Sequence, residues 1–117
     1  MKDTDMEQTV RSVIRRMTAS SVMNLAFARN LIREVEKKAQ EMGVKAVVAV
    51  SDAAGRPVAI ECMDGAYIGS FDVALNKTFT SVAFQMSTAE LGKLAAPGGS
   101  LYGIQNTNDG KIVIFGG

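Results

Sequence analysis

The segment CMDGAYIGSFDVALNKTF, residues 62–79, gathers side chains that could do chemistry: the chain's one cysteine, a thioether, an aspartate beside glycine, and a lysine set among apolar residues. An ammonium buried at Lys77 needs a carboxylate, an anionic ligand or a path to water. Cys62 shares a strand face with Val58 and Ile60, so it is expected to face the core as a small hydrophobe. Asp64-Gly65 fits a strand-to-helix turn, with Asp64 expected to cap the helix and Gly65 to supply the turn backbone. Pro97-Gly98-Gly99 matches neither a P-loop nor a dinucleotide fingerprint, although its backbone N–H groups could cradle a phosphate or carboxylate.

The chain has no histidine. That removes the commonest general base and the commonest metal ligand together. Ser-His-Asp and Cys-His catalysis are excluded within one chain, and one cysteine cannot assemble a zinc site. No catalytic residue and no metal site are therefore assigned.

A length of 117 residues fits one domain, large enough to bury a real core but not a large one. A net charge of +1 lacks the basic footprint of a nucleic-acid binder. The longest apolar runs, such as Ala46 to Val50, are too short to span a bilayer. The N-terminus has no apolar h-region, so a cytoplasmic protein is expected.

The elements that must position these residues follow from periodicity. Residues 3–17 read as an amphipathic helix, with Met6, Val10, Val13, Ile14 and Met17 at helical spacing, followed by a linker at 18–21. This helix packs on its own domain or docks to a partner, and the spacing suits either. Asn24 caps a second helix with the stripe Ala28, Leu31, Ile32, Val35, Ala39 and Met42, stopped at Gly43. Val44 to Val50 predicts a strand buried on both faces, paired through the Asp52–Gly55 turn with a strand starting at Pro57. Residues 66–86 predict a helix with two apolar faces. Ile68, Phe71, Leu75, Phe79, Val82 and Met86 should meet the sheet; Val73, Thr80 and Phe84, with Lys77, should meet something else. Ser87-Thr88-Ala89-Glu90 is a capping box opening a short helix. Leu101–Gln105 and Lys111–Phe115 predict a second hairpin. Hairpins separated by helices indicate an α+β fold with an antiparallel sheet.

The ordered set of Asp52 and Gly55, Met63–Ala66, Ala74-x-x-Lys77-x-x-x-Ser81, residues 97–103 and residues 112–117 resembles the GlcG/HbpS-type haem-degrading family. The same module forms the C-terminal domain of PduO-type cobalamin adenosyltransferases. The resemblance implies a profilin-like antiparallel sheet between helical layers. The N-terminal helix and linker (1–23) would precede a domain at 24–117 that lacks the family's last strand and helix. It further implies homo-oligomers built from dimers and a weakly bound haem or related tetrapyrrole, with no histidine ligand for its iron. The expected binding residues are Met63, Asp64, Gly65, Lys77, Gly98, Gly99 and Tyr102. The function implied is a tetrapyrrole-class binding module auxiliary to a pathway such as diol or glycerol utilisation. The alternative is a non-catalytic accessory subunit that docks to an enzyme or microcompartment shell through residues 3–17. Haem degradation ranks third, since no acid/base pair is visible.

Overall fold

The computed structural model describes residues 2–17 and 23–116, with side chains described for 5–13 and 23–116. The expectations for Ile14, Met17 and the 18–21 linker lie outside these side chains and residues. The elements run α1 (Lys2–Met17), α2 (Leu25–Glu41), β1 (Val47–Ser51), β2 (Pro57–Cys62), α3 (Gly69–Phe84) and α4 (Thr88–Leu94). Two 3-10 turns follow at Ile104–Asn106 and Asn108–Gly110. The strands form a two-stranded antiparallel sheet. Helices α2 and α3 both pack against it, and α1 packs on α2. The chain is an α+β fold.

Helix α2 forms as its sequence requires. Asn24 Oδ1 accepts the Phe27 N–H at 2.8 Å and so satisfies one of the first-turn donors. The stripe Ala28, Leu31, Ile32, Val35 and Ala39 is buried. At the other end the Val44 N–H donates to the Ala39 carbonyl (2.8 Å) and the Gly43 N–H to the Gln40 carbonyl (3.1 Å), the paired bonds of a Schellman motif. Because Val44 closes the helix, it cannot also begin β1, which starts three residues later. Val13 of α1 is 1% exposed in the same core as Leu31, Ile32, Val35 and Val50, with Met6 and Val10 packed against it.

Register decides which sheet residue meets which helix. Val48 pairs with Glu61 and Val50 with Ala59, whereas Val47 pairs with Cys62 and Ala49 with Ile60. Cross-strand partners share a face. Val48, Val50 and Ala59 join the α2 core, and Ser51 Oγ lies 2.7 Å from Thr78 Oγ1 of α3. The first set therefore faces α2, and Val47, Ala49, Ile60 and Cys62 face α3. The pairing shifts between Val50 and Ser51, skipping Val58 on β2. This bulge residue joins Ala59 on the α2 side. The expected shared face of Val58, Ile60 and Cys62 is thus broken by the bulge. The cysteine is not in the core either: at the strand's end it is exposed. Among the described residues β1 has one strand neighbour, so the predicted two-sided burial does not make it a central strand, and Val50 is its one buried residue. Its apolar run reflects helices on both faces rather than strands on both edges.

Three further expectations are corrected. Asp64 does not cap α3; the cap position is Ile68, without a side-chain bond, since a turn at residues 63–66 intervenes. Ile68 and Phe71 do not pack down on the sheet; they are 96% and 40% exposed. The second hairpin does not form. Gly103, Asn108, Asp109 and Gly110 take positive φ values, and Leu101–Gly110 winds into turns. The segment after it, residues 112–116, belongs to no strand. Instead Ile112 and Val113 are buried, as are Leu91 and Ala95 of the α4 region. The predicted capping box of α4 is present: Ser87 Oγ accepts the Glu90 N–H at 3.0 Å, and Glu90 Oε1 accepts the Ser87 N–H at 3.4 Å.

Candidate ligand site

A cavity of about 530 Å³ opens where α2 and β2 both end, walled by Glu36 and Gln40, residues 43–45 and residues 62–64. That volume lies within the ~300–1,000 Å³ usual for small-molecule sites. The Schellman turn and the strand end bring its walls together. The Ala66 N–H donates to the Met63 carbonyl at 3.0 Å, closing the turn in which Gly65 takes φ +84°. A Cβ at Gly65 would stand 2.8 Å from Lys45 Cδ, so glycine there both permits the turn and lets the Lys45 stem lie across it. Met63 Sδ accepts the Ala46 N–H at 3.4 Å, tying the turn to the residue just before β1.

The site's charge is mixed. Lys45 is the one cation of the wall, beside Glu36 and Asp64. Glu36 is held above the ordinary carboxylate range, first by desolvation, then by its hydrogen bond and repulsion with Glu61, with Arg33 acting in the opposite sense. Glu61 shares the α2-facing side of β2 through its pairing with Val48.

Of the residues singled out from sequence, Met63 and Asp64 line this cavity and Gly65 adjoins it through Lys45. Lys77, Gly98, Gly99 and Tyr102 are not among its lining residues. Lys77 Nζ stands 4.7 Å from the centroid of the Phe115 ring, a cation–π contact. Gly99 packs against the end of α4, its N–H donating to the Ala96 carbonyl at 2.7 Å, and Tyr102 is 67% exposed. Lys45 and Glu36 were missed. Lys45 interrupts an apolar run directly after a helix stop, and that was the available signal. Among the described residues no cluster of three or more cysteines, aspartates and glutamates could hold a metal ion. No described helix is long and apolar enough to cross a membrane.

The fold and this cavity define a small α+β domain in which an antiparallel hairpin is clasped by helices, with an open site at one end. Residues 23–117 match the family described as haem-degrading protein HbpS-like, and the chain belongs to it. It is 40% identical over 97 residues to an uncharacterized 15.0 kDa protein from the dhaT–dhaS intergenic region of Citrobacter freundii, covering 83% of this chain and 68% of that one. It is 34% identical over 102 residues to the corrinoid adenosyltransferase PduO of the same organism, covering 86% of this chain but 30% of the enzyme. Among solved structures, Klebsiella pneumoniae ORFY superposes with a TM-score of 0.76 at 40% identity, covering 86% of this chain and 69% of that one. A PduOC–heme complex superposes with a TM-score of 0.67 at 29% identity, covering 97% and 67%.

Proposed function

We propose that this chain is a binding module for a planar anionic ligand of the haem/tetrapyrrole class, auxiliary to a catabolic pathway such as diol or glycerol utilisation. The observation that carries the reading is the open cavity with Lys45 laid across the Gly65 turn at its wall. Family membership and the structural neighbour solved with heme support the choice of ligand class.

The donor set fits the organic ring better than its iron. The chain has no histidine. Met63 Sδ is engaged by the Ala46 N–H, which leaves exposed Cys62 as the other sulfur at the cavity wall. The residues that would hold the ligand are Lys45, Met63 and the Gly65 turn. Lys45 would meet one carboxylate, while Glu36 and Asp64 disfavour a second. Binding in the micromolar range or weaker is expected, about −8 kcal/mol or less favourable.

A spectrophotometric titration with hemin tests this, using wild type, Lys45→Ala and Lys77→Ala. Lys45→Ala should weaken binding by about 1–3 kcal/mol, the range for a hydrogen bond to a charged group. A loss confined to Lys77→Ala would move the ligand to the side of the domain holding Lys77 and the 98–102 loop. No spectral change at any hemin concentration would remove the reading.

Self-association belongs to the same proposal. Tyr67, Ile68 and Phe71 are 84%, 96% and 40% exposed around the start of α3, an apolar patch that favours a protein neighbour. A symmetric dimer is the default assembly, and light scattering at micromolar concentration would show a monomer if this is wrong. Docking through residues 3–17 has less support, because Val13 is already buried in the chain's own core.

A further inference from the structure

The two-stranded ladder ends on a sulfur. Val47 pairs with Cys62, so Ala46 and Met63 stand opposite each other one step beyond the strands. The Met63 N–H donates to the Ala46 carbonyl at 2.9 Å, as the next rung of an antiparallel ladder requires. A regular rung would return a bond from the Ala46 N–H to the Met63 carbonyl. That carbonyl instead accepts the Ala66 N–H at 3.0 Å and closes the Gly65 turn. The Ala46 N–H donates to Met63 Sδ in its place, at 3.4 Å. A thioether is a weak acceptor, so this rung is the weakest of the series. Met63 is half-buried and lines the open cavity, whereas Met6 and Met23 pack against the α2 core.

Resting on the tetrapyrrole reading above, we propose that Met63 is a site of reversible oxidation by hydrogen peroxide, and that its sulfoxide weakens the cavity's hold on an anionic planar ligand. In this step a lone pair of Sδ attacks one peroxide oxygen. The S–O bond forms and the O–O bond breaks. The proton of the transferred oxygen passes to the departing one, which leaves as water. The sulfur loses two electrons and the peroxide gains them. A polar S–O group then stands where an apolar thioether stood. Its acceptor is the oxygen, one bond farther out than the sulfur, so the Ala46 N–H keeps a partner only if the side chain is displaced. The turn that this side chain ties to the sheet is the one across which the Lys45 stem lies. Lys45 is the cation of the cavity wall. A sulfoxide oxygen in that wall accepts from its ammonium and competes with the anionic group of a ligand.

The test separates the sulfur from the ligand. It is run on the full chain in a Cys62→Ser background, since the exposed neighbouring thiol would be oxidised too. After brief exposure to hydrogen peroxide and its removal, peptide mass spectrometry should show Met63 oxidised ahead of Met6 and Met23. Amide NMR should show the Ala46 N–H shifted and exchanging faster with solvent. An iron porphyrin tetrasulfonate, titrated by absorbance, should bind roughly two- to tenfold more weakly to the oxidised protein, the size of one competing hydrogen bond. Methionine sulfoxide reductase with a dithiol should restore both the amide signal and the affinity. Met63→Leu keeps the bulk without the sulfur, and its affinity should not respond to peroxide. Oxidation of Met63 no sooner than Met6 and Met23, an Ala46 amide unchanged in the sulfoxide form, or the same peroxide response in Met63→Leu overturns the proposal. A porphyrin bound by neither form sinks the ligand reading and with it the effect on binding, while the Ala46 amide still decides whether oxidation of Met63 opens the turn.

Discussion

Thr80 and Val113 are joined by a buried hydrogen bond: Thr80 Oγ1 accepts the Val113 N–H at 3.0 Å and donates to the Asn76 carbonyl at 2.8 Å. Thr80 has no exposed surface. The second side of α3 is therefore met, in part, by the chain's own C-terminal segment. Replacing Thr80 by Val keeps the shape and leaves the Val113 N–H without its acceptor. That should cost about 1–3 kcal/mol, read as a lower urea midpoint at unchanged slope. Thr80→Ser, which keeps the oxygen, should lose less.

Gly92 lies where the same segment crosses α4. A Cβ there would overlap the Ile114 carbonyl oxygen, which is backbone and cannot swing away. Gly92→Ala should destabilise the domain by about 1–3 kcal/mol through overpacking, although alanine favours the helix. Exposed Lys93→Ala, one residue on, should be close to neutral in the same thermal melt.

Val13 ties α1 to α2. Val13→Ala should cost about 2 kcal/mol, for two methyl groups removed from a buried site. Removing residues 1–20 should therefore destabilise the domain. A neutral Val13→Ala in chemical denaturation would mean that α1 detaches in solution, and would restore the docking role for residues 3–17.

Asp52 controls the hairpin turn. Its Oδ1 accepts the Ala54 and Arg56 N–H groups at 2.9 and 3.0 Å, and Arg56 Nε and Nη2 each stand 3.0 Å from Oδ2. The Arg56 N–H is the main cause of its lowered pKa. A carboxylate depressed by folding contributes stability above its unfolded pKa and loses it as pH falls through the folded value. Tm should fall with acid in that window, and Asp52→Asn should flatten this limb.

Glu36 works in the opposite sense, because its pKa is raised on folding. Its penalty appears as pH rises from the unfolded value through the folded one. Glu61→Gln should raise Tm at neutral pH and leave it unchanged at pH 3, measured by calorimetry across the range.

Local chemistry made much of this protein legible from sequence. The Asn24 cap, the α2 stripe, the Gly43 stop, the Asp52–Gly55 turn and the Ser87–Glu90 box each depend on groups within a few residues of one another, and each is present. The Met63–Gly65 turn was legible as a turn for the same reason, and Met63 and Asp64 do stand at the cavity. What lay beyond the sequence was set by partners distant along the chain. The bulge at Val58 arises from pairing with β1 and overrides a two-residue alternation. Ile112 and Val113 have the composition of a strand, but the buried acceptor Thr80, more than thirty positions earlier, holds Val113 against α3. Lys45 looks like a break in an apolar run until the Gly65 turn is folded beneath it. Hydrogen bonds and caps of short range can be read from spacing. Which surface an apolar or charged residue meets is decided only when helices and strands pack, because the free energy of burial depends on the neighbour and not on the residue alone.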